Sequence, residues 1–267
     1  MQGRVLIIAG SDPSGGAGIQ ADIKTVTALG GYAATAITAL TVQNTAGVRA
    51  VHPVGADIIK AQIDVVLDDI GADAVKIGML GAVEGVALVA DALTPIAGDI
   101  PIILDPVLVA TSGDALAGDD VAAAILDRLV PIAAIVTPNI DEAAALTGAS
   151  VKNKADMIAA GEALRAAGAD AALVKGGHLP GDKVADVLMS EEGPLWFENR
   201  RIDTTSTHGT GCTLASAIAA GLAQGLSHAD AVAAAIRYVH VAIATAPGFG
   251  AGHGPLNHAH TVSPTRR

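Results

Sequence analysis

The sequence predicts an α/β domain: a central, mostly parallel sheet with helices on both faces. Three observations carry this. Short apolar runs alternate with longer stretches of helical period, the short runs end in Gly, Asp or Pro, and no linker, internal repeat or low-complexity tract divides the 267 residues. Hydrophobic residues make up 51% of the chain, enough core for one domain spanning 1–267, and abundant alanine suits closely packed helices.

In chain order, the apolar run 5–9 reads as the first strand because it is short and ends at Gly10. A helix at 19–29 and a second strand at 35–40 follow, then a helix at 56–69 and a strand at 74–77 that runs into Gly78. A helix at 83–92 leads to a strand at 102–104, which meets Asp105-Pro106 directly. Beyond it are expected a helix at 119–129, strands at 134–136 and 171–174, and a helix at 154–167 between those two strands. From 184 to 198 the pattern becomes two short runs broken at Glu191-Glu192-Gly193, an antiparallel hairpin at the sheet edge. Helices at 209–223 and 229–245 complete the fold. Ser227 with Asp230 starts the second of these in the manner of a capping box, and the tail from Ala259 is expected to be poorly ordered.

A formal net charge of −11 without any cluster of Lys and Arg argues against nucleic acid or an anionic membrane as partner. A bound nucleotide would need local backbone amides, a few cations or a divalent metal. The run 5–9 is too short for a signal-peptide core, no segment reaches membrane-spanning length, and the single cysteine cannot form an internal disulfide; a cytoplasmic setting is expected.

In open sheets of this type ligands bind beyond the carboxyl ends of the strands, so the polar residues there are the candidates. Gly10-Ser11-Asp12-Pro13-Ser14-Gly15-Gly16-Ala17-Gly18 follows the first strand with neither the dinucleotide spacing nor a Gly-Lys-Ser/Thr, so it is neither a nicotinamide fingerprint nor a P-loop. It delivers Asp22 one turn into a helix, where it could meet a small polar substrate or simply be solvated. Gln43, after the second strand, offers a paired donor and acceptor for the edge of an aminopyrimidine-like ring, or is a turn residue. Met79 could line an apolar wall or pack the core. Asp105 is placed to hold magnesium. Asn139 and Glu142 repeat the arrangement after the fifth strand, with helix capping the rival role for Asn139. Lys175 on a glycine turn could neutralise phosphate oxygens or lie solvated at the surface. His253, His258 and His260 are expected at a surface or interface, not around a metal.

Thr207-His208-Gly209-Thr210-Gly211-Cys212-Thr213 opens an apolar helix. The glycines flanking Thr210 let successive amides converge where the helix dipole adds partial positive charge, a setting for a phosphoryl group in transit. A thiol there is expected to ionise more readily than a free cysteine and to receive or share a substrate proton; the rival is a small buried hydrophobe behind a capping turn.

Seven ordered blocks, namely Ala9 through Lys24, Gln43-Asn44-Thr45, Lys76-Ile77-Gly78-Met79, Asp105-Pro106-Val107, Thr137-Pro138-Asn139, Val174 through His178 and His208 through Thr213, resemble the hydroxymethylpyrimidine/phosphomethylpyrimidine kinases of thiamine biosynthesis, in the ribokinase superfamily. The resemblance implies a ribokinase-like fold and ATP-dependent phosphorylation of 4-amino-5-hydroxymethyl-2-methylpyrimidine to its monophosphate and then its diphosphate. It implies a homodimer, and magnesium at Asp105 and Glu142. It sets Gly10, Asp22, Gln43, Met79 and Val107 around the pyrimidine, Asn139, Glu142, Lys175 and Thr207 at ATP, and Gly209, Thr210, Gly211 and Cys212 at the transferring group. The sugar-kinase branch has Asp where this chain has Cys212. A pyridoxal or pyridoxine kinase is the nearest rival; a non-catalytic sensor has no need of Asp105 or Lys175, and a nicotinamide-dependent dehydrogenase lacks its glycine fingerprint. With five aromatic side chains, none in the matched substrate blocks, ring recognition is expected to rest on apolar packing with Asp22 and Gln43.

Overall fold

The computed structural model describes residues 1–108 and 118–262. Among these, nine strands form one sheet in the order β3-β2-β1-β4-β5-β6-β7-β8-β9. The strands are β1 (Arg4–Ser11), β2 (Tyr32–Asn44), β3 (Gly47–Pro53), β4 (Ala74–Ile77), β5 (Ile102–Leu104), β6 (Ile135–Val136), β7 (Ala171–Val174), β8 (Lys183–Ser190) and β9 (Gly193–Arg200). The stretch from β2 to β7 is parallel, while β3 on one side and β8 and β9 on the other are antiparallel additions. The expected edge hairpin is therefore β8–β9.

The helices are α1 (Gly18–Ala28), α2 (Ala56–Asp69), α3 (Val83–Leu93), α4 (Asp119–Arg128), α5 (Ile140–Thr147), α6 (Lys154–Ala166), α7 (Thr210–Ala223) and α8 (His228–Ala244). The central strands are apolar on both sides because helices cover both faces. Leu6 and Ile8 of β1 pack with α2, α3 and α4, whereas Val5, Ile7 and Ala9 pack with α1, α7 and α8. A smaller cluster joins α5 and α6 to Val174, Val187 and Met189. Alanine serves close approach: Ala215, Ala217, Ala219 and Ala220 of α7 are buried against the sheet and its neighbours.

Two elements lie outside the sequence expectation. β2 runs on through Gln43 to Asn44 and turns at Thr45-Ala46 into β3, so Gln43 is a strand residue paired with Val48. Asn139 caps a helix, α5, that the sequence expectation did not include, so its rival role is the one realised by its side chain: its Oδ1 accepts from the amides of Asp141 and Glu142, each at 2.9 Å, while Glu142 Oε2 accepts from the Asn139 amide at 2.8 Å. That is a capping box spelled Asn-x-x-Glu. Ser227 caps α8 as expected. At the chain end Thr261 donates to the Ala28 carbonyl at 2.9 Å, and residues 263–267 of the expected loose tail lie outside the described residues.

From β1 the chain moves to β2 on one side, then crosses back past β1 to β4 on the other. This reversal opens a crevice at the carboxyl ends of β1 and β4. The β1–β2 register shifts between Ala9 and Ser11, turning Gly10 out toward that crevice.

Candidate active site

A cavity of about 900 Å³ occupies the crevice, and its walls include Gly10, Gln43, Met79, Asp105, Val107, Asn139, Glu142, Lys175, Thr207 and the stretch from Gly209 to Cys212. Every sequence-predicted site residue except Asp22 is therefore brought to one space.

One end is the start of α7. Gly209 has φ 78°, the left-handed conformation that glycine adopts without strain, and a side chain there would run into the Gly16 carbonyl. The first amides of α7 have no acceptor within the helix and carry its dipole. The loop before them is pinned to the loop after β1. His208 Nε2 lies 2.8 Å from Asp12 Oδ2, and Asp12, 1% exposed, also accepts from the amides of Ser14, Gly16 and Ala17 and from the Ser14 hydroxyl. Burial opposes the Asp12 charge, but hydrogen bonds from His208, Ser14 and Ala17 outweigh it and hold the carboxyl down at about 2. Thr207 Oγ1 meets His253 Nδ1 at 3.2 Å, and the Thr207 carbonyl accepts from Thr210 Oγ1 at 2.7 Å.

Beside this end stand three charged groups. Lys175 Nζ is 3.2 Å from Asp105 Oδ1 and 3.9 Å from Glu142 Oε2, and Thr137 Oγ1 donates to Asp105 Oδ1 at 3.2 Å. Burial opposes the ammonium of Lys175, yet Asp105 and Glu142 hold its pKa above the ordinary range. Burial pushes the Glu142 carboxyl up to about 7, against the pull of Lys175 and with Asp105 adding repulsion. Two carboxylates thus share one lysine. Mg²⁺ is held by one or two carboxylates together with waters and phosphate oxygens, so this oxygen-only donor set fits the ion. A cluster of three side chains able to hold a metal by themselves is absent among the described residues.

Beneath the α7 terminus lies a fully buried ion pair. Lys76 Nζ is 2.9 Å from Asp22 Oδ2, both side chains 0% exposed, and Ser216 Oγ donates to Asp22 Oδ1 at 2.7 Å. Burial opposes the Lys76 charge, but Asp22, Cys212 and Asp105 hold its pKa above the ordinary range. Burial also pushes the Cys212 thiol up to about 12; Asp22 and Asp105 push the same way, and Lys76 pulls against them. The sequence expectation of an acidic thiol is thereby corrected: the helix terminus does not offset burial beside two carboxylates.

At the other end Gln43 and Met79 line the cavity with Gly10. Met79 is 8% exposed, and its Cε stands where a Gly10 Cβ would come within 2.6 Å. The Gln43 amide makes no hydrogen bond among the described residues and is available to a ligand. Among those residues no Phe, Tyr or Trp lines the cavity.

A family model described as phosphomethylpyrimidine kinase matches residues 12–257. The chain belongs to the phosphomethylpyrimidine kinase family. The hydroxymethylpyrimidine/phosphomethylpyrimidine kinase of Rhizobium meliloti is 49% identical over 258 residues, covering 96% of each chain. Among solved structures, the pyridoxal kinase of Bacillus subtilis in its ADP complex superposes with a TM-score of 0.89 at 36% identity, covering 97% of this chain and 98% of the other. A phosphomethylpyrimidine kinase from Clostridium difficile superposes at 0.79 and 39% identity, covering 90% and 99%. With these similarities the sheet is a ribokinase-like one.

Within this phosphomethylpyrimidine kinase framework three expectations change. Asp22 does not reach the cavity; it holds Lys76, which does. Asn139 lines the cavity, but its side chain is engaged as a helix cap. Of the three histidines expected at a surface or interface, His253 is exposed as expected and also lines the cavity, His260 is half-buried against the Tyr238 ring at 4.6 Å, and His258 departs from the expectation at 6% exposed, with burial pushing its imidazole down to about 4. The sequence reading missed Lys76, the Asp12–His208 pair and Asp186, whose Oδ1 accepts from the Gly176 amide at 2.8 Å and so fixes the turn that carries Lys175. Arg201 steadies that turn further, donating to the carbonyls of Gly177, Leu179 and Gly181. Lys76 did leave a trace: it is a charged residue inside the buried strand Ala-Val-Lys-Ile.

Proposed function

We propose that this protein transfers the γ-phosphoryl group of ATP to the hydroxymethyl group of 4-amino-5-hydroxymethyl-2-methylpyrimidine, and then a second one to the monophosphate, in thiamine biosynthesis. The observation that carries this reading is the convergence of Lys175, Asp105 and Glu142 on the amides of Gly209 to Cys212, across one cavity from the free Gln43 amide and Met79. Gln43 meets the aminopyrimidine edge, and Met79, Val107 and the Gly10 backbone pack the ring. Lys175 and the α7 amides, with Thr207, take the phosphate oxygens. Phosphoryl transfer has a loose transition state that needs positioning and charge neutralisation above all. Asp105 and Glu142 would hold Mg²⁺, which would neutralise phosphate charge when bound with ATP. Cys212 shares the proton of the acceptor hydroxyl.

The reading includes a homodimer, supported by the apolar Leu40 and Val42, 52% and 49% exposed on one face of β2, and a cytoplasmic setting, supported by the free cysteine. Among the described residues no helix is long and apolar enough to cross a membrane.

The test is product analysis by mass spectrometry with magnesium ATP and the hydroxymethylpyrimidine, and with pyridoxine in parallel. Monophosphate followed by diphosphate is the expected outcome. The similarity to a pyridoxal kinase at a TM-score of 0.89 favours a second reading, and phosphorylated pyridoxine with untouched pyrimidine would establish it instead.

A further inference from the structure

The turn that carries Lys175 has little of its own to hold it. Between Val174 at the end of β7 and Lys183 at the start of β8 it reads Lys-Gly-Gly-His-Leu-Pro-Gly-Asp. Among the described residues one backbone hydrogen bond closes it internally, from the Leu179 amide to the Gly176 carbonyl at 3.0 Å. Glycine loses more freedom on ordering than any other residue, so a turn with three of them needs partners from outside. The half-buried Arg201 supplies most of them. Its Nε donates to the Gly181 carbonyl at 2.8 Å, Nη1 to Gly177 at 2.8 Å and Nη2 to Leu179 at 2.5 Å, while its backbone amide donates to the Asp182 carbonyl at 2.8 Å. Alternate carbonyls of the turn thus meet the three nitrogens of one planar guanidinium, a match that the point charge of an ammonium does not reproduce. Asp186 on the Gly176 amide and His178 Nδ1, 3.0 Å from Asp141 Oδ2, fasten the turn elsewhere.

The chain beyond Arg201 leads directly to the other phosphate-facing element, with Gly209 eight residues further on. That connecting loop is tied at its far end, where the Gly254 amide donates to the Thr205 carbonyl at 3.2 Å and the His208 amide to the Gly254 carbonyl at 3.1 Å. The two elements meet: a Cβ on Gly211 would stand 3.2 Å from Lys175 Nζ. Arg201 lies at their junction, gripping one with its side chain and beginning the approach to the other with its backbone.

We propose that Arg201 is a positioning residue for the nucleotide: its planar fork holds the Lys175 turn in register with the α7 amides, so that ammonium and amides meet the same phosphate chain. The inference rests on the kinase reading above for its ligand. What Arg201 contributes is the shape of its donor set, not its charge, because its partners are carbonyls and it acts on the phosphates through Lys175. Gln43, Met79 and Gly10 stand at the other end of the cavity, beyond the reach of this turn, so the pyrimidine end does not depend on it.

The experiment compares the wild type with Arg201→Lys, which keeps the charge and loses the fork, and with Arg201→Met, which loses both. Calorimetry reads the affinity for a nonhydrolysable ATP analogue with magnesium and, separately, for the hydroxymethylpyrimidine; initial rates read kcat/KM for ATP. Both variants are expected to bind the analogue about tenfold more weakly, the scale of one displaced charge contact, and to bind the pyrimidine within about twofold of the wild type. The fall in kcat/KM for ATP is expected to reach about 100-fold, the cost of a phosphate-binding group displaced by about 1 Å. Wild-type nucleotide affinity in Arg201→Lys would show that charge alone matters and would overturn the proposal. Equal losses for nucleotide and pyrimidine, or an Arg201→Lys protein that does not fold, would make the residue structural and overturn it too. If only Arg201→Met fails to fold, Arg201→Lys decides alone, since it isolates the fork. A wild type that binds the analogue but phosphorylates no pyrimidine would refute the proposed function and leave the affinity test of Arg201 standing; a wild type that binds no nucleotide would refute both.

Discussion

Replacing Asp12 with Asn tests whether the loop after β1 and the loop before α7 are locked by charge. The Asp12 carboxylate accepts hydrogen bonds from three amides, one hydroxyl and His208, and its carboxyl is held at about 2 against a reference of 3.8. At 1.36 kcal/mol per unit, that difference amounts to about 2 kcal/mol of folding free energy. Because the folded pKa lies below the unfolded one, this contribution is present above about pH 4 and fades as the pH falls from there toward 2. For a chain of this size it corresponds to a melting temperature lower by about 5 °C in Asp12→Asn at pH 7. Urea denaturation of wild type and variant at pH 7 and at pH 3 reads the effect directly. The gap between the two proteins should be about 2 kcal/mol at pH 7 and clearly narrower at pH 3. A gap of equal size at both pH values, or none at pH 7, would show that the carboxylate charge does not hold the two loops together.

Gln43→Ala should raise the Michaelis constant for the pyrimidine about tenfold, the cost of one or two hydrogen bonds, while that for ATP stays within about twofold; steady-state kinetics with each substrate varied separately read the split, and equal changes would make Gln43 structural. Gly209→Ala and Gly30→Ala both place alanine at a left-handed φ, 78° and 84°, but a Cβ at Gly30 meets nothing within 4 Å, whereas one at Gly209 meets the Gly16 backbone. Both should lose about 1 kcal/mol in stability, and only Gly209→Ala should lose more than that together with turnover, as read by denaturation and initial rates. Removing divalent ions with EDTA should weaken ATP binding about tenfold or more in calorimetry while leaving pyrimidine binding unchanged, because Asp105 and Glu142 then face the triphosphate with one lysine between them.

The sheet was legible because its central strands are mostly short and apolar and are punctuated by Gly, Asp or Pro, a pattern that survives without any tertiary information. β3 was not, since a strand beyond β2 with a half-exposed face reads Gly-Val-Arg-Ala-Val-His-Pro and has no strong alternation. α5 was hidden by its eight residues, too few to show a clear helical period, although Asn139 had helix capping as its rival role. The cavity wall was legible at the strand ends, where Asp105, Lys175 and Gln43 stand. What lies behind the wall was not: Asp22 at the fourth position after Gly18 could point to solvent, substrate or core, and only the packing of α1 on α7 and β4 decides that it meets Lys76 and Ser216.

The four carboxylates Asp12, Asp22, Asp105 and Glu142 look alike in the sequence, each just past a strand end or one turn into a helix. Their partners separate them. Asp12 is satisfied by five donors from two loops, and Asp22 by a lysine and a serine that reach it through the core. Both are compensated within the chain and have no claim on a ligand. Asp105 and Glu142 instead divide one lysine, at 3.2 and 3.9 Å, and burial with mutual repulsion leaves the Glu142 carboxyl up at about 7. Two carboxyl groups with one lysine between them therefore stand at one place on the cavity wall, beside the helix amides that would receive phosphate, where a bound cation would favour the charged form of Glu142. In a chain of net charge −11, that is a place where a cation bound with the nucleotide offsets charge, since Asp105 and Glu142 have one lysine between them.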